Sequence, residues 1–308
     1  MEDWRDNLSR RTLLLQSAWL ALGIMIGRSP AATLDVAYAG SMSSMMEGSL
    51  KAAMAQELNL DLHGRAQGSS ALAQLIVGGS IRPDVFIPIT PSPMLIVLRA
   101  GKAETAHAIA HTEMVIAHSP KSRFASRFQA AAQGKDRWWK ILQEPGLRFG
   151  RTDPVADPQG RNIIFTMMLA AKAFNQPDLV ESVLGPVVNP KQIFTEPTVQ
   201  ARLQSGELDA ASAYKIQPGP FNLPYLTLPK EINLSSQSVH AEHPDISLTV
   251  GGKTYFPEPL IYYAAVLKDA PNAKGAATFV EWLKSDQARA IFRRYDYDPL
   301  GDASPLHS

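Results

Sequence analysis

Apolar positions along the chain alternate between two rhythms. Residues 34–39 read as a strand that ends buried, from Val36 to Ala39. Beyond a serine-rich junction, apolar side chains recur at Met46, Leu50, Ala53, Met54 and Leu58, which predicts a helix over 43–58. Residues 60–67 alternate as a strand. Residues 68–79 give a Gly-Ser turn, a helix with Leu72, Leu75 and Ile76 inward, and a Gly-Gly stop. Apolar runs at 83–90 and 113–120 predict two further strands. This β-α-β-α-β succession predicts an α/β fold with mainly parallel sheets flanked by helices. The theme returns at 147–174, a strand, a loop and a helix with Ile164, Met167, Met168 and Ala171 on one side, and at 193–216, a helix, a Ser-Gly stop and a strand. The last third differs. It reads as an extended, proline-bracketed stretch from 224, a hairpin around Gly251-Gly252, a strand, and one amphipathic helix over 271–295. No internal repeat or low-complexity tract interrupts it.

Length changes the picture first: 308 residues, 45% hydrophobic and 19% charged, suffice for about two domains. The first 31 residues hold four arginines and three acids, leaving 26 basic and 26 acidic residues in the remainder. A neutral chain offers no electrostatic case for nucleic acid or an anionic membrane surface. The absence of cysteine excludes disulfides, thiolate metal sites, cysteine nucleophiles and a lipoprotein anchor. Residues 9–32 place Arg10-Arg11 before a mostly apolar run from Leu13 to Gly27 and a small-x-small site at Ser29-Pro30-Ala31. The run is too short to span a bilayer comfortably and predicts a twin-arginine signal peptide over 1–31, with export to the periplasm.

Three junctions share one form, a strand, small polar residues and a helix N-terminus: Ala39-Gly40-Ser41, Gly68-Ser69-Ser70 and Asp157-Pro158-Gln159-Gly160. In the third, Asp157 is placed as N-cap and Pro158 at the first helical position. Each alone is no more than a cap. Together, at the carboxyl ends of strands, their N–H groups and hydroxyls form a cradle for a small oxyanion without any counter-charge.

The stretches YAGSMS, GSSALAQLI, GRTDPVADPQG, SGELDAASAYK, LPYLTLPKEINLSS and the block from Leu248 to Phe292 occur in this order across residues 34–295. In them the chain resembles the substrate-binding components of molybdate and tungstate ABC importers, archaeal-type subgroup. The resemblance implies a two-lobed type II periplasmic binding fold, with lobe 1 over 32–117 plus 225–308 and lobe 2 over 118–224. It implies a monomer without enzymatic activity or cofactor, which binds molybdate or tungstate and delivers it to a membrane permease. Carried over by residue, the anion site would comprise Gly40, Ser41, Ser69, Ser70, the N-terminus at Pro158, Gln159 and Gly160, and Tyr214. The subgroup also brings two carboxylates to the metal atom of the oxyanion. Asp157 matches the first. The second is expected just before the tyrosine, where this chain has Ala213, so the resemblance leaves one carboxylate and favours a tetrahedral bound centre.

Other features compete. Sulfate, phosphate or a small organic acid would suit the same fold. An exported hydrolase with Ser41 or Ser69 as nucleophile would need a base, yet the chain has no G-x-S-x-G elbow and only His63, on a strand, near the serine loops. His107 and His111, four apart on an expected helix, make a candidate metal pair without a third ligand. His240 and His243 fall in a polar loop, and Trp138-Trp139 are expected to pack at the edge of lobe 2. Arg161 and Lys215 adjoin site segments, and Glu196-Pro197 starts a helix whose N–H groups could face the anion.

Overall fold

The computed structural model of the chain describes residues 30–298 and 303–308, so the expected signal peptide lies outside the described residues save for Pro30 and Ala31. Residues 32–308 form one compact unit built on two main sheets. Its strands are β1 (Ala32–Ala39), β2 (Leu60–Gln67), β3 (Val85–Ile87), β4 (Thr105–His111), β5 (Met114–His118), β6 (Phe149–Gly150), β7 (Ala210–Tyr214), β8 (Tyr225–Thr227), β9 (Leu248–Val250), β10 (Lys253–Tyr255), β11 (Ile261–Val266) and β12 (Leu306–His307). The larger sheet runs β12-β4-β11-β3-β1-β2 and the smaller β6-β7-β5-β8. β9 and β10 form a separate hairpin whose Gly251 and Gly252 take φ of 59° and 73°, the positive values a two-residue turn between twisted strands demands.

Both sheets are mixed rather than mainly parallel. β1 pairs in parallel with β2 and β3, and β6 with β7, where helices carry the chain back. β11 enters antiparallel between β3 and β4, and β5 runs antiparallel to β7 and β8. These pairings arise because the chain crosses between the sheets and must return. β5 and β8, the first and last strands of the smaller sheet, flank the crossings near 112–113 and 228–234. There Thr112 N–H donates to Leu260 O (3.0 Å), Met114 N–H to Asn233 O (2.8 Å) and Leu260 N–H to Leu234 O (3.0 Å). Leu234 is buried with φ of 61°, a left-handed conformation that is unusual for a bulky residue.

Residues 43–58 are helical, and Met45, Met46, Leu50, Ala53 and Met54 are buried. The helix widens into π turns at Met46–Leu50 and Met54–Leu58, and Gly48 departs from helical geometry. The helix Pro158–Ala173 is buried on nearly every side from Gln159 to Met167, as a core helix requires. The single C-terminal helix expected over 271–295 is two, Ala273–Trp282 and Asp286–Arg294. Ser285 caps the second by accepting from Ala288 N–H (3.2 Å), a capping signal overlooked inside a continuous amphipathic pattern. His107 and His111 lie on β4, not on a helix. Four residues along a strand put them about 13 Å apart, too far for one ion. The alternation in TAHAIAH was the strand signal. Among the described residues no group of three His, Asp or Glu is placed to hold a metal ion.

Candidate functional site

The serine turns are neighbours because of strand register. β1 and β2 pair from Ala32↔Leu60 through Ala39↔Gln67, so Gly40-Ser41 and Gly68-Ser69 leave the sheet side by side. Ser41 Oγ lies 3.0 Å from the Tyr262 hydroxyl of β11. Tyr262 is fully buried, which keeps its phenol protonated and available as the donor in that pair. Ser69, also buried, accepts from Ile89 N–H (3.2 Å), which leaves its own proton to donate; Ser70 is half-buried at the rim. The helix Ser69–Val77 begins at this point, so its free N–H groups face the same way.

Across from these turns, a Cβ on Gly68 would lie 3.9 Å from the Ala156 carbonyl oxygen. Three segments end on this opposite side in parallel. β6 pairs with β7, and Arg151, just past β6, bridges in parallel to Ile193 through Arg151 N–H to Gln192 O (2.8 Å) and Phe194 N–H to Arg151 O (3.0 Å). The fully buried Arg151 guanidinium fixes that bridge by donating to Pro186 O, Val187 O and Gln192 Oε1. From the bridged pair the chain runs to Asp157 on one side and Glu196 on the other. Asp157 is the N-cap expected from sequence: its Oδ1 accepts from Gln159 N–H (2.8 Å), and Pro158 opens the helix. Gly160 is required by close approach, since a Cβ there would meet Thr152 O at 2.4 Å and Pro154 N at 2.7 Å. Tyr214, at the end of β7, is buried and accepts from Asn162 Nδ2 (3.0 Å), so its hydroxyl proton is free to donate.

Glu196, the first residue of helix Glu196–Ser205, is a candidate site residue whose side chain the sequence alone does not single out. Burial and the Asp157 charge push its carboxyl up to about 7. Burial likewise raises Asp157, against the Gln159 N–H and the more distant Arg161 charge. Tyr214 is raised well above the ordinary range by burial and by Asp157, and Tyr262 is raised by burial with a further push from Glu196. Two carboxylates, two tyrosines and Ser41 therefore share one electrostatic neighbourhood. A second carboxyl thus stands near Asp157, from a helix start eighteen residues before Tyr214, while position 213 holds alanine. Ala213 packs with Val199, Leu203 and Leu223 in an apolar cluster behind the site. The acidic residue before Pro197 was the available signal, but a first-turn Glu also reads as an ordinary helix-dipole partner.

Both candidate cations already have partners, although Arg161 lines the cleft beside Ser70 and Pro158. Arg161 donates to Pro154 O (2.9 Å) and lies over the Tyr255 ring at 4.3 Å, while Lys215 pairs with Asp298 at 2.6 Å beside the crossing. Trp139 stacks on Phe174 with centroids 4.0 Å apart, and His240 packs on Phe256 from a short helix, Val239–Glu242.

The bacterial extracellular solute-binding protein family matches residues 34–298. The chain belongs to that family. It is 30% identical over 297 residues to the molybdate/tungstate-binding protein WtpA of Pyrococcus abyssi, covering 87% of this chain and 85% of the relative. Among solved structures it resembles the periplasmic molybdate-binding protein of Azotobacter vinelandii (TM-score 0.57, 18% identity, 86% and 99% of the two chains). It also resembles the sulfate-binding protein SubI of Mycobacterium tuberculosis (TM-score 0.59, 11% identity, 88% of each). The two sheets are those of the two-lobed type II periplasmic binding fold. This family member is a solute-binding protein homologous to molybdate/tungstate binders of ABC transporters. The family is one of transport proteins rather than enzymes, and its extracellular character implies export.

Proposed function

We propose that the protein captures molybdate or tungstate between its two lobes, outside the cytoplasm, and hands it as a monomer to an ABC permease. Ser41, Ser69 and Tyr214 would donate to the oxyanion oxygens, with Gly40, Ser70 and the helix start at Pro158, Gln159 and Gly160 completing the cradle. The observation that carries this reading is the pair of carboxyls, Asp157 and Glu196, that share the site and act on each other. Sulfur and phosphorus oxyanions present only oxygens, and two carboxylates facing them repel. Hexavalent molybdenum and tungsten accept further oxygen ligands beyond four, so the same carboxylates become attractive. On this reading Asp157 and Glu196 both approach the metal atom, and the bound centre expands beyond tetrahedral. A second reading rests on the raised Glu196 carboxyl: a protonated Glu196 would donate to a tetrahedral anion of any kind.

Thermal melting of the mature protein with tungstate, molybdate, sulfate, thiosulfate and phosphate tests the choice. A ligand at 100 times its dissociation constant adds about 2.7 kcal/mol, and each kcal/mol moves the midpoint of a domain of this order by roughly 2–4 °C. Tungstate and molybdate are expected to raise the midpoint by several degrees. A sulfate or phosphate shift as large as that of tungstate would sink the metal-oxyanion reading. Export is tested separately. Residues 1–35 fused to a folded reporter should carry it across the membrane, and Arg10→Lys with Arg11→Lys should stop this; continued export of the variant would remove the twin-arginine route.

A further inference from the structure

Gln217 lies three residues beyond Tyr214, buried in the turn that follows β7. Its side-chain oxygen accepts twice, from Gln159 Nε2 at 2.8 Å and from the Tyr214 backbone N–H at 2.7 Å. A backbone N–H can only donate, so the amide cannot be turned over, and both lone pairs of its oxygen are used. The direction of its NH2 group is therefore set by the fold. That group is buried and completes no close hydrogen bond. Gln217 and Glu196 line the same small space of about 10 Å³, together with Gln159, Ser212 and Ala213, which barely admits one water. The approach of the Gln217 side chain opposes burial and Asp157 by favouring the ionised Glu196 carboxyl.

We infer that Gln217 is the positioning residue for Glu196, a fixed donor behind the carboxylate that holds it toward the cleft and ties it to the Asp157 helix start and to Tyr214. This rests on the reading of Glu196 as a ligand to the metal of the oxyanion. The connection is economical in parts. One amide touches Gln159, whose N–H is capped by Asp157, and Tyr214 on its strand, and its remaining donor is directed to the space it shares with Glu196. Two of the site segments are thus hydrogen-bonded to one side chain, and the third lines the space beside it. Outer partners of this kind typically change metal affinity by about 10- to 100-fold when removed.

Gln217→Glu isolates the donor. It keeps an oxygen for Gln159 and Tyr214 and replaces only the NH2 with an oxygen facing Glu196. Added negative charge weakens every dianion, so the readout is the ratio of tungstate to sulfate affinity by calorimetry, with tungsten L3-edge absorption reporting the coordination number. The expected result is a tungstate/sulfate ratio lowered about tenfold or more and a spectrum shifted toward four-coordinate tungsten. The exchange Glu196→Gln with Gln217→Glu is the second variant. It preserves total charge and an amide–carboxylate pair, and so stands in should the single variant fail to fold. It moves the carboxylate one layer back and is expected to lose the tungstate preference as well. A wild-type ratio and spectrum in folded Gln217→Glu would overturn the role of Gln217 alone, whereas the same result in the exchange variant, which has no carboxyl at 196, would overturn the reading of Glu196 and this inference with it. Wild-type protein that shows no preference for tungstate over sulfate would overturn the reading of Glu196, and this inference with it.

Discussion

Glutamine in place of Glu196 is expected to lower tungstate and molybdate affinity about 10- to 100-fold, on the scale of a lost charged contact, while sulfate affinity holds or rises. The substitution is nearly isosteric and keeps the helix start, since Thr195 remains the N-cap and Pro197 the second helical residue. What it removes is one oxygen ligand able to expand the metal centre and one negative charge 18 residues before Tyr214. The two losses act oppositely on the two classes of anion, which is why the ratio is the informative quantity. Calorimetry with both anions on the same preparation checks it, and equal losses for both would refute a metal-directed carboxylate. The ligand-free variant is expected to be more stable than the parent at pH 8. Glu196 has a folded pKa raised above its unfolded value, so the stability it contributes is present below the unfolded value and lost as pH rises through about 7. Above that pH the parent holds two adjacent carboxylates in a partly desolvated cleft, and glutamine relieves that repulsion. Binding and stability should therefore move in opposite directions at this residue.

Affinity for tungstate is expected to fall with pH below about 7. If the ionised Glu196 carboxylate must reach the metal, the free protein has to lose its proton first. One pH unit below a pKa, about one carboxylate in ten is ionised, which costs about tenfold in apparent affinity. Titrations at dilute tungstate between pH 6 and 9 should show a plateau above pH 8 and a decline toward pH 6, and the Glu196→Gln variant should be flat. A protonated Glu196 acting as hydrogen-bond donor gives the reverse sign, with affinity rising as pH falls through about 7. The slope alone thus decides between an expanded and a tetrahedral centre.

The two serine junctions were legible in the sequence because they depend on local signals. Strand-to-helix junctions with Gly40-Ser41 and Gly68-Ser69 announce themselves, and the β1–β2 register then makes them adjacent. Asp157 and Pro158 were legible for the same reason, a cap and a first helical proline. Glu196 was not. Its proximity to Asp157 depends on the isolated Arg151–Ile193 bridge, a contact between segments about forty residues apart that carries no periodic signal. The strand β4 was misread because alanines and histidines do not resemble a β-rich segment, although their alternation obeys the period of two. The mixed character of both sheets followed from the return of β11 and β8, which depends on where the chain crosses between the sheets rather than on any local pattern.

The division of donors and carboxylates between the two sides of the cleft sets an order of events for the proposed ligand. The larger sheet contributes Ser41 and Ser69, which are neutral. The smaller contributes Asp157 and Glu196, which repel an approaching dianion at long range. An anion entering an open cleft therefore settles first on the serine side, where tungstate and sulfate offer the same oxygens. On the proposed reading, closure would then bring the carboxylates to bear. Discrimination would reside in residence time rather than in capture rate, and a permease that pries the lobes apart would break the selective contacts first, releasing cargo from its uncharged half.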